Sequence, residues 1–331
     1  MALDREAGEE WSRIERKSLM QRRRFIRSLT LVSLAASASF RSFAASARKM
    51  TMCLSPGSIG VSADQAKAID LAQRHGFESV EPNSQYLAGL SAAQGQEVLA
   101  QLKAKGLVWG CAGLPVEFRR TPESFQQGLT ALPKVAQGLQ QAGVVRVGTW
   151  LMPGDQKLTY RANTQQHAQR LREVAKVLAD HGQRLGLEYV GTPSVRAGLR
   201  FPFLHTLQET KELIEEIGQP NVGVVLDSWH WHMAGDTAED LAALRNEQII
   251  SVDLNDAPAG VALEKQQDGQ RELPCATGVI DVAAFLSALN RIGYDGPVRV
   301  EPFNKRVNQM SAEDACAAAA ASLKKAMALI A

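Results

Sequence analysis

Apolar and polar positions alternate along this chain in two periods. Short apolar runs recur from Thr51 to the end, and amphipathic stretches with a spacing of 3.6 residues separate them. The runs predict strands at Met52–Leu54, Ser79–Glu81, Val108–Cys111, Val144–Thr149, Leu187–Val190, Val222–Leu226, Ile249–Leu254 and Val298–Glu301. The intervening pattern predicts helices at Ala63–Arg74, Phe125–Ala142, Gln165–Arg184, Leu207–Ile217, Thr237–Leu244, Val282–Ile292 and Ala312–Ile330. Ser62 and Thr206 stand where N-caps belong. Gly76, Gly106, Gly143, Gly186, Gly218 and Gly293 each fall between a helix and the next strand, where a left-handed residue closes the helix.

Eight β-α units with no break in composition predict an α/β fold, a single closed (β/α)8 TIM barrel over residues 48–331. A doubly wound open sheet is the alternative. It calls for a Gly-rich phosphate loop after its first strand, and Ser55-Pro56-Gly57-Ser58-Ile59-Gly60 lacks that spacing.

Residues 1–47 depart from the barrel pattern. Gln21-Arg22-Arg23-Arg24-Phe25-Ile26-Arg27 is basic, Ser28–Phe40 is weakly apolar, and Ala44–Ala47 are small. In that order they read as a cleaved export signal, and the paired arginines before Phe-Ile resemble the twin-arginine consensus. The apolar run is shorter than the ~20 residues a membrane span needs. The resemblance implies export to the periplasm, with the twin-arginine translocase as a transient partner and no stable membrane anchor. Met20, just ahead of the signal, is an alternative start to Met1. Removing this segment takes away nine Lys/Arg and five Asp/Glu, so the remainder has a net charge of −2 rather than the +2 of the whole chain. That leaves no basic stripe for nucleic acid. The four cysteines are far apart and show no metal-ligand spacing.

A TIM barrel carries its chemistry at the C-terminal ends of its strands. Those ends bear Glu81-Pro82-Asn83, Glu188, Asp227-Ser228-Trp229-His230-Trp231-His232, Asp253-Leu254-Asn255-Asp256 and Glu301-Pro302-Phe303-Asn304. A lone strand-end carboxylate is as often a helix cap or a surface ion pair. Carboxylates crowded on one rim repel each other and raise each other's pKa, and a divalent cation removes that cost. An oxygen-rich set with an imidazole nearby favours Mn²⁺, Mg²⁺, Co²⁺ or Zn²⁺.

Leu226-Asp227-Ser228-Trp229-His230, Val252-Asp253-Leu254-Asn255-Asp256 and Gly293-Tyr294-Asp295-Gly296-Pro297-Val298-Arg299-Val300-Glu301 resemble the xylose-isomerase-like TIM-barrel family. The resemblance implies a metal-dependent isomerase or epimerase acting on a keto-sugar or related polyol. It implies metal ligands Glu188, Asp227, Asp253 and Glu301, with Mn²⁺ foremost. Asp253 stands where the family usually has His, which adds charge and disfavours Zn²⁺; His230 or His232 could take its place. The resemblance also makes Glu188 and Glu301 the proton-transferring pair on opposite faces of a carbon beside a carbonyl, passing through an enediolate. His230 would contact substrate oxygens. Glu81, Trp229, Asn255 and Arg196 complete the expected substrate contacts. Lys265–Arg271 lies in a long polar segment that could close over the site.

Three other readings remain open. A dehydratase or lyase acting on a 3-keto-glycoside or inosose shares the first proton abstraction. A non-catalytic sugar-binding protein would follow if Asp253 marked a decayed metal site. A repair endonuclease would need more rim histidines than this chain supplies. The oligomeric state is open, although homo-oligomers are common in the family.

Overall fold

The computed structural model describes residues 48–330. The expected signal segment and the choice of start lie outside the described residues. Nine parallel strand segments form one curled sheet. They are β1 (Thr51–Leu54), β2 (Ser79–Val80), β3 (Val108–Trp109), β4 (Ala112–Gly113), β5 (Arg146–Trp150), β7 (Arg184–Glu188), β9 (Val222–Asp227), β10 (Ile249–Leu254) and β11 (Pro297–Val300). β6 (Gly154–Asp155) and β8 (Phe201–Pro202) make a separate antiparallel ribbon.

The order is β3-β2-β1-β11-β10-β9-β7-β5-β4, so β3 and β4 are its two edges. Only Gly110 and Cys111 separate them in the chain. The third strand of the expected barrel is thus one run broken in the middle: its first half pairs with β2 and its second with β5. Gly110, at the break, has no room for a side chain. A Cβ on Gly110 would lie 2.5 Å from Cys53 Sγ. The Cys53 and Cys111 thiols are pushed up to about 12 by burial, and all four cysteines are free. Cys53 and Cys316 serve as small core side chains.

The helices wrap the sheet through their apolar faces. In α1 (Gln65–His75), Ala68, Ile69, Leu71 and Ala72 are buried. Asp64, rather than Ser62, caps it by accepting from the Lys67 N–H. Between β2 and β3 lie two helices that the periodicity did not mark, α2 (Ser84–Ala88) and α3 (Ala92–Ala104). Their apolar faces are narrow: α3 buries only Gly95, Val98 and Leu102. The helix expected at Gln165–Arg184 ends earlier, as Tyr160–Asp180, and the fifth barrel strand begins at Arg184. Gly182, at φ 71°, makes the reversal. Gly186 therefore does not close a helix. It lies inside β7, where a Cβ would stand 2.7 Å from Val225 Cγ2 and 2.8 Å from Ile250 Cβ. A bare backbone there lets neighbouring strands fill the barrel's interior.

Candidate active site

Each candidate carboxylate sits at or near the C-terminal end of a strand. Glu188 is the last residue of β7 and Asp227 the last of β9, Asp253 lies in β10, and Glu301 follows β11. Because these strands are parallel neighbours, their C-terminal ends open onto one rim. Glu188, Asp227, Asp253 and Glu301 each offer an oxygen, and these four atoms lie within 4.8 Å of one another. Glu188, Asp227 and His230 converge in the same way.

Two arginines enter this ring. Arg299 precedes Glu301 by two residues on β11, so the strand's alternation places both on the inner face. Its guanidinium forks onto Asp253, Nε to Oδ1 at 2.5 Å and Nη2 to Oδ2 at 2.8 Å. Nη2 also reaches Glu301 Oε1 at 3.2 Å. Arg271 arrives from the segment after β10. Its Nη1 donates to Asp227 Oδ2 at 2.8 Å and to Glu301 Oε2 at 3.2 Å, and its Nη2 donates to Asp268 Oδ1 at 3.0 Å. Its guanidinium lies between the Trp229 and Phe303 rings, 5.2 and 4.6 Å from their centroids. Phe303 holds a left-handed φ of 38°, a strained state for an aromatic residue, and completes this stack beside Glu301.

The long segment after β10 is tied down. Asp256 accepts the N–H groups of Ala257, Thr277, Gly278 and Ile280 at 2.7–3.0 Å. Thr192 Oγ1 donates to Asp268 at 2.8 Å, and Ser194 Oγ donates to the Gln266 carbonyl at 3.1 Å. The segment expected to close over the site is thus folded and pinned, and it delivers Arg271.

Electrostatics follow from burial. The Glu188 carboxyl is held well above the usual range, first by desolvation and then by Glu301, Asp253 and Asp227. Glu301 is raised to about 8 by burial and Asp253, against the pull of Arg299 and Arg271. Asp253 is raised by burial, with Arg299 opposing. Burial opposes the charges of Arg271 and Arg299, but the surrounding carboxylates outweigh it and raise both. His230 is lowered to about 4 by burial, so its ring is neutral near pH 7. Among the described residues, Glu188 Oε1 and His230 Nδ1 are buried and meet no hydrogen-bond partner.

A cavity of about 250 Å³ lies over the ring, with Glu81, Arg119, Trp150, Glu188, Arg299 and Glu301 in its wall. Glu81 accepts from Ser55 Oγ and faces Arg299 Nη1 at 3.5 Å. Trp150 carries the Arg119 guanidinium 4.4 Å above its ring. Trp229 does not reach this cavity. It is fully buried, and its Nε1 donates to Thr192 Oγ1 at 2.8 Å. Asn255 is also fully buried and donates to Asp227 Oδ1 at 2.9 Å, so it orients that carboxylate. Arg196 lies in a short helix, Pro193–Ala197, outside the residues that wall the cavity.

Arg119, Arg271 and Arg299 are site residues to which the sequence pattern assigned no individual role. Arg299 had a signal: a charged residue two positions before an inward-facing Glu on a barrel strand must itself face inward. Arg271 ends the Lys265–Arg271 stretch that reads as able to close over the site, but its contact with the ring depends on how that long segment folds back.

This chain belongs to the xylose isomerase-like TIM barrel family, whose model matches residues 69–326. Inosose isomerase of Bacillus velezensis is 24% identical over 273 residues, covering 80% of this chain and 92% of that protein. A xylose isomerase domain protein from Alicyclobacillus acidocaldarius superposes with a TM-score of 0.74 at 33% identity, over 85% of this chain and 99% of the other. The IOLI protein, solved with a zinc atom, has the same fold, with a TM-score of 0.70 at 22% identity over 84% of this chain and 98% of its own. The family, the acidic cavity and an isomerase relative along most of the chain identify an enzyme.

Proposed function

We propose that this enzyme is an isomerase or epimerase of a keto-sugar or related polyol, working by proton transfer beside a carbonyl. One observation carries the reading: Glu188 and Glu301, both raised by burial and by neighbouring carboxylates, share one small cavity, and a Glu188 oxygen is left without a partner. A carboxylate that is raised and desolvated is a stronger base, and its conjugate acid can return the proton. With one such group on each side of a substrate carbon, one takes the proton and the other delivers it. The centre inverts or the carbonyl moves by way of an enediolate. Arg299, in the cavity wall, places positive charge beside the oxygens that become negative, while neutral His230 packs beside Arg271 and Asp227, outside the residues that wall the cavity.

The donor set fits a divalent metal. Glu188, Asp227, Asp253 and Glu301 each offer an oxygen within 4.8 Å of the others, and a divalent ion would offset the crowding that raises Glu188, Asp253 and Glu301. The orphaned Glu188 Oε1 is the free ligand such an ion needs. Glu188, Asp227 and Glu301 would hold it, with Mn²⁺ foremost and Mg²⁺, Co²⁺ or Zn²⁺ as alternatives. When bound, it would polarise the substrate's carbonyl and hydroxyl oxygens. The zinc in the IOLI protein supports a metal in this fold.

The test uses protein lacking residues 1–47, in D₂O, with ketoses, inososes and 3-keto-glycosides. Deuterium incorporation beside the carbonyl, lost in Glu301→Gln, is the expected outcome. No exchange across the panel sinks the reading. The released product then separates epimerisation from β-elimination, which shares the first step. We also propose export through the twin-arginine route. It is supported by the Arg22–Ile26 pattern and tested by comparing the N-terminus of the periplasmic protein in wild-type and translocase-deficient cells.

A further inference from the structure

A second cavity adjoins the one over the carboxylate ring. It measures about 480 Å³, against about 250 Å³ for the first, and Glu81, Gly113 and Leu114 stand in the wall of both. Its walls come from the ends of β1, β2 and β4 and the segments that follow them, on the same rim as the carboxylates. Ligand sites usually enclose about 300–1,000 Å³. The first cavity falls short of that range and the second lies within it. Two glycines in the second wall keep it open. Gly57 and Gly113 both lie outside the left-handed region, and a Cβ built on either would meet nothing within 4 Å. Neither backbone strain nor crowding calls for glycine there, so the missing side chains leave space for a ligand.

The second wall also selects a chemistry. Among the described residues that line it, Asp64 and Glu81 alone carry charge, and both are acidic. Ser62 to Gln65 bring the amino end of α1 to this wall, but Asp64 already caps it by accepting the Lys67 N–H. A phosphate there would meet two carboxylates and no cation. No aromatic side chain lines the cavity, so a flat aglycone would have no ring to stack on. Ser62 and Gln85 are exposed and make no side-chain hydrogen bond among the described residues, and Asn83 commits only its Oδ1, to the Tyr86 N–H. With Val61 and Leu114 beside them, these free hydroxyl and amide groups suit the hydroxyls and C–H faces of a pyranose. We propose that the substrate is an uncharged glycoside of two sugar rings. The keto ring lies over Glu188 and Glu301, the second ring fills the neighbouring cavity, and the linkage passes beside Glu81. This rests on the reading above that the enzyme acts on a keto-sugar.

The test compares kcat/KM for deuterium exchange in the full chain supplied with Mn²⁺. The substrates are a 3-keto-hexose, its methyl glycoside, its 6-phosphate and the matching 3-keto-disaccharides. Gly57 lines the second cavity and not the first, so Gly57→Phe fills one and leaves the other. The wild type should favour a disaccharide over the methyl glycoside by about tenfold or more. Gly57→Phe should abolish that preference and leave the methyl glycoside, which does not reach this position, within about twofold. Equal rates on one ring and two, a preference for the 6-phosphate, or a preference that survives Gly57→Phe overturns the proposal. Should Gly57→Phe not fold, Gln85→Ala at an exposed position replaces it, with a loss of about threefold expected on the disaccharide alone and no loss overturning the proposal. Absence of exchange on every substrate would sink the isomerase reading instead. Calorimetric titration of the unoxidised disaccharides and methyl glycoside then tests the cavity by itself. Disaccharide binding about tenfold tighter, and lost in Gly57→Phe, sustains the two-ring assignment; equal binding, or none, overturns it.

Discussion

Replacing Arg271 by Gln removes the most enclosed charge in the ring. Its side chain is 1% exposed, and it pairs with Asp227, which is wholly buried, and with Glu301 and Asp268. Removing one partner of a buried ion pair leaves the others desolvated and unpaired, at a cost of about 3–5 kcal/mol. Loss of its contact with the Trp229 and Phe303 rings adds to this. In a domain of this size each kcal/mol lowers the melting temperature by about 2 °C, so a fall of about 6–10 °C is expected. Differential scanning calorimetry at pH 7 on metal-stripped protein measures it. The cost is electrostatic, so it must shrink when a neighbouring charge is also removed. In an Asp268→Asn background, which removes a carboxylate held below its usual range and paired with Arg271, the same substitution should cost less, by about 1–3 kcal/mol. Added Mn²⁺ should restore part of the lost stability by supplying positive charge to the same carboxylates. A fall below 2 °C, or equal costs in both backgrounds, would refute the claim that Arg271 neutralises this ring.

Two further outcomes follow from the same geometry. Glu301 is raised to about 8, so between its ordinary pKa and that value the folded protein holds a proton that the unfolded chain has released. Stability of the metal-free protein should therefore fall as pH rises through this window, with a limiting slope of about 1.4 kcal/mol per pH unit from this group. Glu301→Gln should flatten it in urea titrations at stepped pH; an unchanged slope would assign the effect elsewhere. Asp256→Ala removes the acceptor for four backbone N–H groups and should loosen the segment that carries Arg271. Faster amide exchange across residues 256–280, with a loss of about 2–4 kcal/mol, is expected. Protection equal to wild type would show that other contacts hold the segment.

Much of this molecule was legible in the linear chain. Alternation of the two periods located eight strands and seven of the helices between and after them, because buried strands and amphipathic helices must repeat apolar residues at different spacings. The barrel rule then brought Glu188, Asp227, Asp253 and Glu301 to one rim, since parallel strands end on the same side. Other features arose only in three dimensions. Gly186 reads as a helix terminator, but it is a strand residue kept bare by Val225 and Ile250 from neighbouring strands. α2 and α3 escaped notice because a helix that buries so few side chains leaves a faint periodicity. Trp229 looks like a sugar platform at a strand end, yet its ring is buried and its Nε1 donates to Thr192. The largest difference concerns charge. The sequence alone set the four carboxylates and their convergence. The tertiary structure decided their state, because only folding brings Arg299 from the adjacent strand and Arg271 from a distant segment into the same desolvated ring, where a few ångströms determine which oxygen is neutralised and which is left free.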